Sequence, residues 1–281
     1  MGDVIGHLVQ AGPLVRIRSA DGVLHECRHA DVLYVRCLTD RPVKNSAIRS
    51  LEHAAALAWP GSEHQWIDGW MVRAGPGADL ASNSATPLDV VSHTRTIAAI
   101  TDWYGRRGEW PCLAVPQRLV RLPADLPVRH ETRAMVCDVS VGPRPTDVVI
   151  TDGPGADWPA LHPDDTTPLH VLTAVINGEV GFAAIPQLAV GRGTVTEGSD
   201  GTRWLGLRAL SVAKDRRRHG HGRAIIEALR AWGAERGATR GYAHVASNDV
   251  DAVAFFKAAG FVSQHRTRYV DARAAAQPHW S

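Results

Sequence analysis

The stretch Ala213-Lys214-Asp215-Arg216-Arg217-Arg218-His219-Gly220-His221-Gly222 holds the densest chemistry in the chain. Lys214, Arg216, Arg217, Arg218 and the following Arg223 concentrate positive charge, while Gly220 and Gly222 leave the backbone unencumbered. Residues 207–212 read as a strand. Residues 223–236 read as an amphipathic helix, with Ile225, Ala228, Leu229 and Trp232 on one face. A strand, a basic glycine loop and a helix start form an anion cradle. Backbone N–H groups converge there, and the helix N-terminus adds roughly half a positive charge. Arginine contributes bidentate contacts to phosphate oxygens. A Walker A loop needs Gly-Lys-Ser/Thr, which is absent, and a Rossmann fingerprint needs a third glycine where Ile225 stands. His219 and His221 have no third ligand nearby, so no metal is expected. The charges lack interleaved aromatics, so no nucleic-acid partner is expected either. The competing reading of the run is a solvated basic turn.

Three segments must position this loop. Residues 3–10, 14–18, 23–27 and 31–37 read as short strands, with Gly12-Pro13 and Asp21-Gly22 as turns. They predict a small SH3-like β-barrel over 1–42 that opens inside its first strand. After Arg41-Pro42 comes a helix capped by Asn45-Ser46, carrying Ile48, Leu51, Ala54, Ala55 and Leu57, and ended by Pro60-Gly61. Strands at 65–73 and 79–85, a helix at 91–104 and a strand at 113–115 complete a mixed segment, 43–130. The third segment, 131–281, predicts strands at 134–141, 146–151, 179–186, 188–197 and 204–212 before the loop.

The 281 residues carry a formal net charge of +2, close to balance, which argues against a polyanionic partner. Cys27, Cys37, Cys112 and Cys137 are scattered without a C-x-x-C pair, fitting reduced thiols rather than a zinc site or disulfide framework. No leader pattern and no run of about 18 apolar residues occurs. Gly6 stands where a myristoylation signal needs Ser or Thr. The expectation is a cytoplasmic protein with no membrane partner.

The pattern Arg/Gln-x-x-Gly-x-Gly behind a strand ending in valine resembles the cofactor loop of the GNAT acetyltransferase superfamily. It stands here as Arg217-Arg218-His219-Gly220-His221-Gly222, with Val212 eight residues before Gly220. Downstream, a strand at 240–245, Asn248, a helix through Ala252, Phe255 and Phe256, and a closing Gly260-Phe261 are similar to the way that fold finishes. Trp59, Asp68-Gly69-Trp70, Arg73, Asn83-Ser84 and Pro87 resemble the N-terminal half of two-part actinobacterial GNAT proteins, some labelled N-acetylglutamate-synthase-like, with an SH3-like domain in front. The resemblance implies an α/β (α+β) GNAT acyl-CoA N-acyltransferase fold with a GNAT-like N-terminal half. The two halves would pack as an internal pseudo-dimer, in a monomer or a homodimer.

It also implies roles. The backbone of Leu210, Ser211 and Val212 would bond the pantetheine arm of acetyl-CoA, and Arg217, Arg218, His219, Gly220, His221, Gly222 and Arg223 would hold the pyrophosphate. Asn248, Phe255 and Phe256 would line the rest of the cofactor. Phe256 departs from the pattern, because a tyrosine often stands there to protonate the leaving thiolate. The strand before the loop offers Arg208 and Ser211 but no carboxylate base. His244 is the candidate proton relay and Tyr269 the candidate acid. Their competing readings are a satisfied strand histidine and a packing residue. The implied activity is transfer of an acetyl group to a primary amine of a small molecule, amino acid or peptide. The alternative is an acyl-CoA-binding regulatory protein with little turnover. A glutamate acceptor would require arginines facing the site, of which only Arg208 can be placed from sequence.

Overall fold

In a computed structural model the described residues are 4–19, 21–33, 35, 43–75, 79–123, 125–156, 158–162 and 167–276. The chain divides into two units, Met1–Pro42 and Val43–Ser281. In the first, β1 (His7–Gln10), β2 (Leu14–Arg18) and β3 (Leu24–Arg28) form an antiparallel sheet in that order. Gly22, at φ 86°, closes the β2–β3 turn that Asp21-Gly22 predicts. The expected barrel is not seen: the described residues form this open three-stranded sheet, and His29–Asp31 turn as a 3-10 helix. Of the expected strand at 31–37, residues 31–33 and 35 are described and form no strand, while 34, 36 and 37 lie outside the described residues.

The second unit starts with α1 (Asn45–Ala58), capped by Lys44 without a side-chain bond, so Asn45 lies inside the helix and not at its cap. The expected strand at 65–73 is two strands, β4 (Glu63–Ile67) and β5 (Trp70–Ala74). Asp68 and Gly69, at φ 43° and 82°, fold them into a hairpin, the turn their residue types favour. Next come β6 (Ala85–Pro87), α2 (Ile97–Gly105), β7 (Cys112–Pro116), β8 (Val128–Asp138) and β9 (Val149–Thr151). Two short helices, α3 (Trp158–Leu161) and α4 (Leu169–Leu172), lead to β10 (Glu179–Ile185), β11 (Ala189–Glu197) and β12 (Arg203–Val212). The chain ends with α5 (His221–Glu235), β13 (Arg240–Ala246), α6 (Val250–Ala258), β14 (Val262–Asp271) and α7 (Ala272–Ala275).

One sheet holds eleven strands in the order β4-β5-β6-β7-β14-β8-β13-β12-β11-β10-β9. Two antiparallel meanders, β4-β5-β6 and β10-β11-β12, each meet one parallel neighbour, β7 and β13 respectively. Between these two similar halves lie β14 and β8, paired antiparallel over much of their length.

Alternation along the strands sorts residues onto two faces. Gly191, Gly193 and Val195 face α5. A Cβ on Gly191 would stand 2.6 Å from Ile225, and one on Gly193 2.8 Å from Leu229, so only glycine lets the helix lie this close. Ile225, Leu229 and Trp232 are buried there, each contributing about 1.5–3 kcal/mol from burial. The opposite face receives α1. Thr196 Oγ1 donates to Ala54 O at 2.8 Å, Arg192 Nη2 to Ala58 O at 3.0 Å, and Trp204 Nε1 to Ser50 Oγ at 3.2 Å. These three bonds fix α1 over β11 and β12.

Candidate active site

The parallel pairing of β12 with β13 runs from Trp204–Arg240 to Leu207–Ala243 and stops. Beyond it, Arg208–Val212 and His244–Ala246 part company. On its other edge β12 is bulged: Arg192 pairs with Arg208 and Val190 with Ser211, so Ala209 and Leu210 together oppose Gly191. Ala209 takes φ 52° to accommodate the extra residue. The freed arm is braced by the end of α3, where His162 Nε2 donates to Ala209 O at 2.8 Å and Ser211 Oγ to Leu161 O at 2.6 Å. The Ser211 hydroxyl is therefore occupied, and the backbone of Leu210, Ser211 and Val212 is what faces the parted strands.

The loop then turns sharply. Arg218 (φ 67°) and Gly220 (φ 89°) are both left-handed, and Gly220 is the N-cap of α5 with no side chain to cap it. The first bond into the helix is Ala224 N–H to Gly220 O at 3.0 Å, leaving the N–H groups of His221, Gly222 and Arg223 ahead of it. No acidic residue stands in that first turn. An uncapped helix start flanked by arginines fits an anion such as a pyrophosphate. A Cβ on Gly222 would stand 3.2 Å from the Phe255 ring, so the ring would have to give by a few tenths of an ångström, and 3.4 Å from Val212, an ordinary contact.

Of the expected cofactor residues, the side chains of Arg217, Arg218 and His219 are exposed. Arg217 Nε donates to Val212 O at 3.4 Å, while Arg223 pairs with Glu227 at 2.8 Å. Asn248 is exposed and precedes Asp249, the true cap of α6. The Phe255/Phe256 pair divides. Phe255 reaches the loop at Gly222, whereas Phe256 packs edge-on against Phe261 at 5.1 Å inside the core. His219 and His221 stack with ring centroids 6.3 Å apart.

His244 follows Ala243, the last residue of β13 that pairs with β12, where those two strands part, and here the structure adds a residue that the sequence reading missed. Glu52, on the buried face of α1, accepts at Oε1 from His244 Nε2 (2.9 Å), His265 Nε2 (2.7 Å) and Thr267 Oγ1 (3.3 Å). Across β8, His244 and His265 both pair with Ala134, so the two imidazoles converge over a methyl group. Burial alone would raise the Glu52 pKa. The charge and hydrogen bond of His244, then those of His265, outweigh it and hold the carboxyl well below its usual 4.5. Among the described residues these three also form the one group whose residue types could ligate a metal. Separations of 2.7 and 2.9 Å are hydrogen-bond lengths, however, shorter than the about 3.3 Å between two ligands of one tetrahedral zinc ion. In the neutral tautomer that donates Nε2–H to Glu52, the His244 lone pair sits on Nδ1.

The α1 face of the sheet opens beside this network into a cleft of about 520 Å³, its open mouth included. His244 and Tyr269 both line it, with Tyr242, Leu207 and Arg208. The Tyr269 hydroxyl makes no hydrogen bond among the described residues. Burial first, then the Glu52 charge, pushes its phenol up to about 12, so it keeps its proton at neutral pH.

Residues 45–270 match a family model described as Probable histone acetyltransferase Rv0428c C-terminal. Over 272 residues the chain is 45% identical to a Mycobacterium tuberculosis protein named "Probable histone acetyltransferase Rv0428c", covering 96% of this chain and 89% of that one. The chain belongs to this family. The fold is similar to a GCN5-related N-acetyltransferase from Kribbella flavida, with a TM-score of 0.55 and 12% identity over 83% of this chain and 96% of that one. It is also similar to a GNAT-family acetyltransferase from Novosphingobium aromaticivorans, with a TM-score of 0.50 and 14% identity over 79% and 96%. The member described here has the GNAT-like α/β fold and is an acyltransferase enzyme, an acetyltransferase. Among the described residues no helix is long and apolar enough to cross a membrane.

Proposed function

We propose that this enzyme moves an acetyl group from acetyl-CoA to a primary amine, of a small molecule or a peptide, by direct attack. The observation that carries the reading is the parting of β12 from β13 at Leu207 and Ala243, between an uncapped helix start and the Glu52–His244 pair. Acetyl-CoA supplies an activated thioester carbonyl to such a site. The chain's own contributions are four. The edge of Arg208–Val212 turned away from β11, apart from the Ala209 carbonyl that His162 holds, offers backbone hydrogen bonds to an extended arm. The N–H groups of His221, Gly222 and Arg223, with Arg217 and Arg218, neutralise a pyrophosphate. His244 takes a proton from the acceptor amine at Nδ1, while Glu52 stabilises the resulting imidazolium across the 2.9 Å bond. Tyr269 holds a proton at its hydroxyl for a leaving anion.

In this reading Phe256 has no part in the chemistry, and the acid position it vacates is served from β14. Calorimetric titration with acetyl-CoA tests the cofactor site. Wild type binds at micromolar concentration, and Gly222→Glu, which puts a carboxylate into the cradle, loses binding while its melting curve shows a folded protein. A wild-type protein that does not bind, or a folded variant that binds equally well, would falsify the assignment. Release of the CoA thiol in the presence of an amine panel tests the transfer itself.

A further inference from the structure

The cleft beside His244 carries more positive charge than its neighbours balance. Arg73, on β5, is 5% exposed. Its guanidinium meets neutral oxygens only: Thr86 Oγ1 at 2.7 Å, Trp59 O at 3.3 Å, and Ser84 O and Oγ at 3.4 Å each. Arg192, 1% exposed, donates to the carbonyls of Leu172 (2.7 Å), Ala174 (2.8 Å) and Ala58 (3.0 Å). Neither forms an ion pair among the described residues. Arg208 is paired with Asp79. The Arg192 and Arg208 guanidinium carbons lie 4.6 and 4.4 Å from the ring centre of Trp59. The carboxylate facing the cleft, Glu52, is engaged by two histidines and a threonine.

Buried cations bonded only to neutral groups are costly to keep. An amine acceptor arrives as an ammonium and adds a further positive charge. A cleft lined by Arg73, Arg192 and Arg208 repels such a group unless the acceptor brings compensating negative charge. From this juxtaposition we infer that the acceptor is an amine that also carries a carboxylate, held by Arg73 and Arg208 while its nitrogen faces His244. Arginine matches a carboxylate in both charge and planar geometry. Arg192, whose Nε and Nη2 donate to three carbonyls, adds to the same positive field. The inference rests on the transferase reading above and narrows its acceptor.

The test uses the full chain, saturating acetyl-CoA and release of the CoA thiol. The acceptors are matched sets: each common amino acid, its carboxamide, and the amine left when the carboxylate is removed, with a lysine-rich peptide alongside. At least one amino acid is expected to exceed its own carboxamide and amine in kcat/KM by on the order of 100-fold. The difference should reside mainly in KM. Arg73→Gln reduces that acid-to-amide ratio by roughly 10-fold or more, and Arg73→Lys restores part of it. If Arg73→Gln fails to fold, Arg208→Gln carries the same readout, and the wild-type ratio needs no variant at all. Carboxyl-free amines or the lysine-rich peptide used as well as any amino acid would overturn the inference and leave the transferase reading standing. Binding of acetyl-CoA with turnover of no acceptor would overturn the transferase reading, and this inference with it.

Discussion

Glu52→Gln keeps the size of the side chain and removes its charge. In the wild type, Oε1 accepts from His244 and His265 at 2.9 and 2.7 Å in a site where Glu52 is 6% exposed. A hydrogen bond to a charged group is worth about 1.5–3 kcal/mol net. The amide oxygen can still accept, but it offers an imidazolium no counter-charge. If the bond to His244 matters in the transition state, losing its ionic part lowers kcat by about 10- to 100-fold, because each 1.36 kcal/mol or so is tenfold. KM for the acceptor should change little, since Glu52 is engaged by the histidines. Steady-state kinetics by CoA-thiol release gives both parameters. A folded variant whose kcat stays within about threefold of wild type would refute the role of Glu52 behind His244. Stability supplies a second readout with a definite sign. The Glu52 pKa is depressed in the fold, so its stabilisation is fully present above about pH 4.5 and is lost as pH falls through the folded value. The gap in melting temperature between wild type and Glu52→Gln should therefore shrink as pH falls below about 4.5.

Tyr269→Phe removes the hydroxyl and its ionisable proton, and should lower kcat by about 10- to 100-fold at unchanged acetyl-CoA affinity, read by kinetics and calorimetry together. Ala134→Leu forces bulk between His244 and His265, and should lose activity while costing about 1–3 kcal/mol in urea unfolding. Gly191→Ala places a methyl group 2.6 Å from Ile225, and should destabilise by a similar amount with acetyl-CoA binding retained in the folded fraction.

The cradle was legible in the sequence because its signals are local. Glycine at a left-handed turn, a run of arginines and an amphipathic helix need no distant partner to be recognised, and His244 follows from its place on the next strand. Glu52 was not read, although a trace of it is visible: a carboxylate on the buried face of a helix, beside Leu51 and one turn beyond Ile48. What sequence alone could not supply is that β8 enters between β13 and β14, bringing His265 onto the same row as His244. Arg73 enters the sequence reading only through the family resemblance and Arg192 not at all, because the cleft they share with Arg208 and His244 exists only once the sheet is assembled. The single strand expected over 65–73 is instead a hairpin, because Asp68-Gly69 takes two positive φ angles and reverses the chain, the same dipeptide signal that Asp21-Gly22 gives earlier.

The insertion of β8 and β14 at the middle of the sheet also governs how the protein must be built. Residues 128–138 find their partners only among 240–271, and 262–271 must pair with β7 as well as β8. Completion of the sheet therefore awaits residues that are synthesised well after β7 and β8. Until they arrive, β7 and β8 present unpaired edges, the kind of surface that recruits other chains. Contacts of such long sequence separation are slow to form. A chain truncated before Val262 should not yield a smaller working enzyme. Two unsatisfied half-sheets would remain, prone to associate with each other and with their copies.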